Sequence, residues 1–224
     1  MPDALLLLPS RGRPDRIEPA IDAWRANSTD CDLLVCLDDD DPTLDEYQRH
    51  PDVRYRVGPR IRMCPTVNAA ATENADQYRY IGFIGDDHLI RTPGWDRLLI
   101  ASIGDWGIAY GDDKLQGAGL ATHCMLSSNI VSTLGYMAIP GLTHLYMDNF
   151  WMDLGHAIPG LLVYRPDVIV EHMHPTAGKS EGDDGYAEVN SPAMFSADRA
   201  VHEKWLRGGG LERDVDLILT AMHR

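Results

Sequence analysis

The chain has 224 residues, 44% of them hydrophobic and 24% charged, and is long enough to bury a sizeable core without disulfides. Its 20 basic and 34 acidic residues give a net charge of −14, which repels nucleic acid and anionic membrane at long range but permits a local basic cleft. No apolar run approaches the ~20 residues that span a bilayer, and no basic segment precedes an apolar one at the N-terminus, so a cytoplasmic protein without membrane insertion is expected. Cys31, Cys36, Cys64 and Cys124 lack C-x-x-C spacing, which suits reduced, buried thiols better than a zinc ribbon or a disulfide frame.

The chain opens with the apolar run "ALLLLP", ended by Pro9 and Gly12, and then "DRIEPAIDAWRA" carries apolar residues at helical spacing. This predicts strand, loop, helix. Ser10, Arg11 and Arg13 lie in the loop, where the free N–H groups and dipole of a helix start favour an anion. A capped helix start with solvated arginines is the competing reading.

"CDLLVCL" is a second predicted strand and runs into Asp38 to Asp41. These four residues read either as a solvated acidic turn or as a strand end where Asp38 and Asp39 accept hydrogen bonds from a base or ribose. An EF-hand is excluded, because its mid-loop glycine is absent. "VRYRV" is a possible third strand, "TVNAAATENA" a helix, and "RYIGFIG" a further strand ending in "DDH". Alternation of this kind predicts an α/β domain with a mainly parallel central sheet flanked by helices.

The second half alternates less regularly. "WGIAYGDD", "HCMLSSNIV", "GLLVYRP" and "DVIVEHMHP" read as strands, and "MDNFWMDLGHAI", "SADRAVHEKWLR" and "LERDVDLILTAMHR" as helices. "AGKSEGDDGY" and "RGGG" read as flexible.

Chemistry concentrates at predicted strand ends, where open α/β sheets bind ligands. Adjacent carboxylates at Asp86 and Asp87 repel each other unless a cation or aimed donors offset the charge, and hard oxygen ligands suit Mg²⁺ or Mn²⁺. His172 and His174, two apart on a predicted strand, share a face and offer further ligands. Asp148, among aromatics, is read as a helix cap or as a partly buried carboxylate suited to take a proton; Asp153 is its competitor.

Taken in this order, "LLLLPSRGRPDRIEPAIDAW", "LLVCLDDDDPT", "TVNAAATENADQYRYIGFIGDDH", "TPGWDRLL", "YMDNFW" and "HMHP" resemble the GT-A glycosyltransferases, most closely small family-two-like and phage-encoded members. The resemblance implies one GT-A domain over 1–224, with a nucleotide-sugar half (1–90), an acceptor half (91–190) and closing helices (191–224). It further implies hexosyl transfer, with inversion, from a nucleoside diphosphate sugar, UDP-linked by preference, using Mn²⁺ or Mg²⁺. Ser10, Arg11, Arg13, Asp38, Asp39, Arg62, Asn68 and Asp86 would meet the donor, Asp87 with His174 or His172 the metal, and Asp148 the acceptor hydroxyl. The D-x-D metal motif of the family stands here as "GDDH", which makes His88 an alternative third ligand. Phage relatives suggest hydroxymethylated DNA as one acceptor, in the host cytoplasm, with a glycan as another. A metal-dependent hydrolase and a non-catalytic nucleotide or glycan binder are the rival classes.

Overall fold

A computed structural model describes residues 2–223. Strand β1 (Ala4–Ser10) is apolar up to its terminal Ser10 and buried on both sides, as a central parallel strand must be. Helix α1 (Pro14–Asn27) starts with proline at its first position and buries Ile17, Ala20, Ile21 and Trp24, a stripe at helical spacing. Then come β2 (Cys31–Asp38), β3 (Arg54–Gly58), α2 (Met63–Asn74), β4 (Tyr80–Phe83), β5 (His88–Ile90) and α3 (Trp95–Ile100). The second half holds β6 (Ile108–Asp112), β7 (Cys124–Ser127), α4 (Ser128–Leu134), α5 (Met147–Ala157), β8 (Leu162–His172), α6 (Asp184–Val189), α7 (Pro192–Arg207) and α8 (Gly210–Met222).

The eight strands form one curled sheet in the order β3-β2-β1-β4-β7-β6-β8-β5. The pairs β3–β2, β2–β1, β1–β4 and β6–β8 are parallel; β4–β7, β7–β6 and β8–β5 are antiparallel. Alternate residues of β1 feed two cores: Leu5 and Leu7 meet the side holding α2, α4, α5 and α8, while Leu6 and Leu8 meet the side holding α1 and α3. From β1 the chain winds outward to β2 and β3, then returns to β4 on the other flank of β1. That reversal opens a crevice at the carboxyl ends of β1 and β4.

Strand β8 differs from the prediction and matters most for the site. "GLLVYRP" and "DVIVEHMHP" are one eleven-residue strand, interrupted by a bulge where its partner register jumps from Arg165 to Ile169. A Cβ on Gly111 would stand 2.3 Å from the Val168 carbonyl oxygen, so this crossing requires glycine. Beyond the bulge, β8 leaves β6 and pairs with β5, setting His172 directly opposite His88.

Three other expectations need correction. "HCMLSSNIV" is a four-residue strand followed at once by α4, because Ser127, the last ladder residue opposite Tyr80, is also the N-cap of the helix that Ser128 begins. Part of the flexible-looking "AGKSEGDDGY" forms a short helical turn and the start of α6, whose N-terminus Asp183 caps by accepting from the Tyr186 N–H. His174 lies past the end of β8 and so does not share a strand face with His172. The closing helices form as expected; Arg224, last residue of the second, lies outside the described residues. All four cysteines are buried and free. No helix among the described residues is long and apolar enough to cross a membrane.

Candidate functional site

The crevice widens into a cleft of about 430 Å³ bordered by the ends of β1, β2 and β4, by α5 and by the segment after β8. At its floor Ser10 Oγ donates to Asp86 Oδ2 (2.7 Å) and Arg13 Nη1 donates to Asp86 Oδ1 (2.9 Å). Burial pushes the Asp86 carboxyl above its ordinary range, and Arg13 only partly restrains it. Asp86 is therefore committed to organising the loop after β1. Arg11 pairs with Asp38 (3.1 Å) and with Asp40, while Asp41 accepts from the Gly12 N–H (2.7 Å) and ties the two loops together. Asp38 lines the cleft; Asp39 is exposed and does not.

Arginines on the opposite wall are also engaged. Arg62 precedes α2 at φ 75°, a left-handed conformation that a non-glycine residue rarely adopts, and its side chain lines the cleft. Arg62 and Arg60 both donate to Glu188, at 2.6 Å and 3.0 Å. Asp183 accepts from Arg13 (2.8 Å) and lies 3.3 Å from Arg16. The acidic segment around α6 thus straps the cleft mouth by seating its carboxylates on the arginines that line it.

Beside Asp86, the side chain of Asp87 stands between two histidines. Its Oδ1 is 3.0 Å from His88 Nδ1 and its Oδ2 is 3.2 Å from His172 Nε2, and the two rings stack at 4.1 Å as cross-strand partners. Burial acts to raise the Asp87 carboxyl, but the hydrogen bonds to His172 and His88 hold it far below the usual carboxylate range. Burial acts to lower His172, and the carboxylates of Asp113 and Asp87 outweigh it, raising the imidazole to about 9. Burial and repulsion from His172 lower His88. The ligand atoms of Asp87, His88 and His172 all lie within 4.8 Å of one another. One oxygen and two imidazole nitrogens converging in this way make a donor set that fits a divalent transition cation, Mn²⁺ better than the oxygen-loving Mg²⁺. His174 stays outside the group: its ring meets His172 edge-on at 4.8 Å and its Nδ1 is engaged by Thr176 Oγ1 at 2.6 Å.

Across the cleft, Asp148 occupies the first turn of α5, and its Oδ1 accepts from the Asn149 N–H (2.9 Å). Burial raises its carboxyl above the ordinary aspartate range. Asp153 is spent elsewhere, paired with His202 at 2.7 Å. The loop before α5 is held by Asp198 of α7, which accepts from Thr143 N and Oγ1, His144 N and Leu145 N at 2.7–2.9 Å. Asn68, expected among the donor contacts, does not line the cleft. Its Oδ1 accepts from the N–H groups of Met137 and Ala138 (2.8 and 2.7 Å) and its Nδ2 donates to the Ala138 carbonyl (2.9 Å), so its polar atoms are consumed in bracketing that loop.

Sequence reasoning missed Asp113, His123, Asp183, Glu188 and Asp198. One signal was present for Asp113: the "GDD" at 85–87 recurs at 111–113, both times at the end of a predicted strand, while a third at 182–184 runs into the start of α6.

No family model and no curated protein matches the sequence. Solved structures do match. A mannosyltransferase from Pyrobaculum calidifontis in complex with GDP-Man and Mn²⁺ superposes with TM-score 0.61 at 11% identity, covering 99% of this chain and 74% of that one. TarS from S. aureus gives 0.59 at 9%, covering 98% and 71%. Glucosyl-3-phosphoglycerate synthase from Mycobacterium tuberculosis, with Mn²⁺, UDP and phosphoglyceric acid, gives 0.59 at 12%, covering 89% and 78%. Identities this low establish the fold alone: a single α/β domain with the GT-A architecture.

Proposed function

We propose that the protein is a metal-dependent glycosyltransferase that moves a sugar from a nucleoside diphosphate donor to an acceptor hydroxyl with inversion. The observation that carries this reading is the convergence of Asp87, His88 and His172 beside the arginine-bordered crevice at the sheet's reversal point. The Mn²⁺ in the mannosyltransferase and in the phosphoglycerate synthase lends it support.

In this reading Arg13, Arg60 and Arg62 receive the diphosphate, with forked N–H groups that suit phosphate oxygens. Asp38, steadied by Arg11, meets the base. A carboxylate there accepts from a ring N–H, which uracil and guanine carry on their pairing edge and adenine and cytosine do not, so UDP- and GDP-sugars are the donors to test first. Asp86 acts indirectly, by fixing Ser10 and Arg13. The cation is assigned to Asp87, His88 and His172, and the chemistry it supplies in such a place is neutralisation of charge on a departing diphosphate.

Asp148 lines the same cleft, and in this reading it serves the acceptor side. Its raised pKa makes it a stronger base than an ordinary aspartate once ionised. The acceptor oxygen bonds to the anomeric carbon as its proton passes to Asp148; the bond from that carbon to the diphosphate oxygen breaks, and its electron pair leaves with the nucleotide. A hydroxyl of a small molecule or glycan is the acceptor class. The DNA acceptor gains no support from the structural neighbours, and the −14 charge opposes it.

The test is release of free nucleoside diphosphate from a panel of UDP- and GDP-sugars, with Mn²⁺ and then with EDTA. Metal-dependent release from one donor, lost in Asp87→Asn, is the expected result. Absence of both release and donor binding by calorimetry across the panel overturns the assignment.

A further inference from the structure

Asp113 follows the last residue of β6 and is 1% exposed. Its Oδ1 accepts from three consecutive backbone N–H groups, those of Leu115 (2.9 Å), Gln116 (2.6 Å) and Gly117 (3.0 Å). Its Oδ2 accepts from Thr122 Oγ1 (2.9 Å). Four donors on two oxygens leave this carboxylate no freedom to rotate. Oδ2 also stands 3.9 Å from His172 Nδ1, a nitrogen that is buried with no hydrogen-bond partner. The two residues are also joined through the main chain, where the His172 N–H donates to the Asp113 carbonyl (2.9 Å).

Thr122 extends the arrangement to the second histidine. Because its hydroxyl proton goes to Asp113, its oxygen turns a lone pair toward His88 Nε2, 3.5 Å away. Here the ionised Asp87 accepts from His88 Nδ1 and His172 Nε2; for His88 Nδ1 to serve a cation, its hydrogen must move to Nε2, where the Thr122 oxygen receives it. His172 is the mirror case: when Nε2 gives up its hydrogen bond to Asp87 Oδ2 for a cation, the remaining hydrogen sits on Nδ1, toward Asp113.

We infer that Asp113 is a positioning residue for the metal centre: it receives hydrogen from His172 Nδ1 directly and, through the Thr122 hydroxyl, steadies hydrogen on His88 Nε2, so that the nitrogens beside Asp87 are the ones freed when a cation binds. The inference rests on the reading that Asp87, His88 and His172 hold a divalent cation. A histidine ligand needs its second nitrogen anchored, and loss of such an outer partner lowers metal affinity by about 10- to 100-fold. Asp113 never touches the cation; it decides which nitrogen is available to do so.

The experiment titrates Mn²⁺ into the full chain, with and without UDP, and reads free Mn²⁺ by EPR. Asp113→Asn keeps an oxygen for the three amides but presents N–H to His172 Nδ1, which drives the imidazole to the tautomer with hydrogen on Nε2. We expect Mn²⁺ to bind about 10- to 100-fold more weakly, while Asp112→Asn, altering a neighbour paired only with Lys114, binds as the parent does. Thr122→Val leaves the three amide bonds of Asp113 in place and is expected to weaken Mn²⁺ several-fold, which guards against misfolding of the first variant. Histidine labelled with ¹⁵N supplies a readout that a purely structural role would not move. With Zn²⁺ as a diamagnetic stand-in, His172 should carry its proton on Nδ1 and His88 on Nε2. The opposite pattern, or unchanged Mn²⁺ affinity in both variants, overturns the role of Asp113. A parent protein that binds no Mn²⁺ in either condition overturns the metal assignment and this inference with it.

Discussion

Replacing Asp198 tests how the C-terminal helices govern the site. The residue is 1% exposed, and its two oxygens take four donors from Thr143, His144 and Leu145, the loop that delivers Asp148 into the cleft. A hydrogen bond to a charged group contributes about 1.5–3 kcal/mol, and a buried donor left without a partner costs about 1–3 kcal/mol. The loop borders the cleft, so water recovers part of the loss, and the terms do not add; about 3–5 kcal/mol is the expected cost of Asp198→Ala. For a chain of this size each kcal/mol moves the melting midpoint by about 2–4 °C, so a fall of about 6–20 °C follows. Asp198→Asn is the sharper probe: its amide nitrogen would oppose the N–H groups of His144 and Leu145, donor against donor, so this near-isosteric change should lose at least half as much. Thermal melts followed by far-UV circular dichroism measure both. Midpoints within about 2 °C of the parent for both variants refute the reasoning.

Asp148→Asn should lower sugar transfer by about 100- to 10,000-fold, the usual scale for a general base, with donor affinity unchanged in calorimetry; a loss of donor binding instead would move Asp148 out of the acceptor role. Because burial raises its carboxyl and the ionised form is needed, the acid limb of the rate profile should fall at a pH above the ordinary aspartate range. Gly155→Ala offers a test of sign. Alanine usually improves a helix interior by about 1 kcal/mol, but here its Cβ would lie 2.2 Å from the Leu162 Cβ, so destabilisation by about 1–3 kcal/mol is expected in urea titrations. Burial pushes His123 down to about 3, with its Nε2 accepting from the Gly111 N–H. The unfolded histidine titrates near ~6.5, so the unfolded chain binds the extra proton between the two values and stability drains as pH falls through that window, by up to a few kcal/mol. His123→Gln should flatten the slope; equal slopes between pH 7 and 4.5 would discard the idea.

The first half of the molecule is legible because each strand there is a continuous buried run with a helix of clear period behind it, as in "ALLLLP" followed by Ile17, Ala20, Ile21 and Trp24. The second half hides its rules in long-range partners. Pro166 and Asp167 read as a stop between two strands, yet they are the exposed bulge of one, and only the Gly111 contact with Val168 reveals the crossing. Strand β5 has three residues, too short to show a period, and exists because β8 reaches it. The same holds for the site. "GDDH" announces Asp86 and Asp87 from their mutual repulsion, but nothing local separates the one turned to Arg13 from the one turned to the histidines. Asn68 shows the converse error: a polar residue midway along a helix near the cleft is no guide to direction, and its bonds to Met137 and Ala138 lie seventy or so positions away in sequence.

Under the proposed function, the strap formed by Asp183 and Glu188 would make donor binding an exchange rather than an addition. Arg13 and Arg62 already hold carboxylates, so an arriving diphosphate exchanges one set of anions for another and gains only the difference in bond quality. A tethered anion competes at an effective concentration of order millimolar. The cleft's affinity for its donor is therefore set below what its arginine count suggests, and varies less steeply with salt. In the same reading the tether would work in the other direction after transfer: the spent nucleotide would face a competitor that cannot diffuse away, and its departure would be hastened by the chain itself.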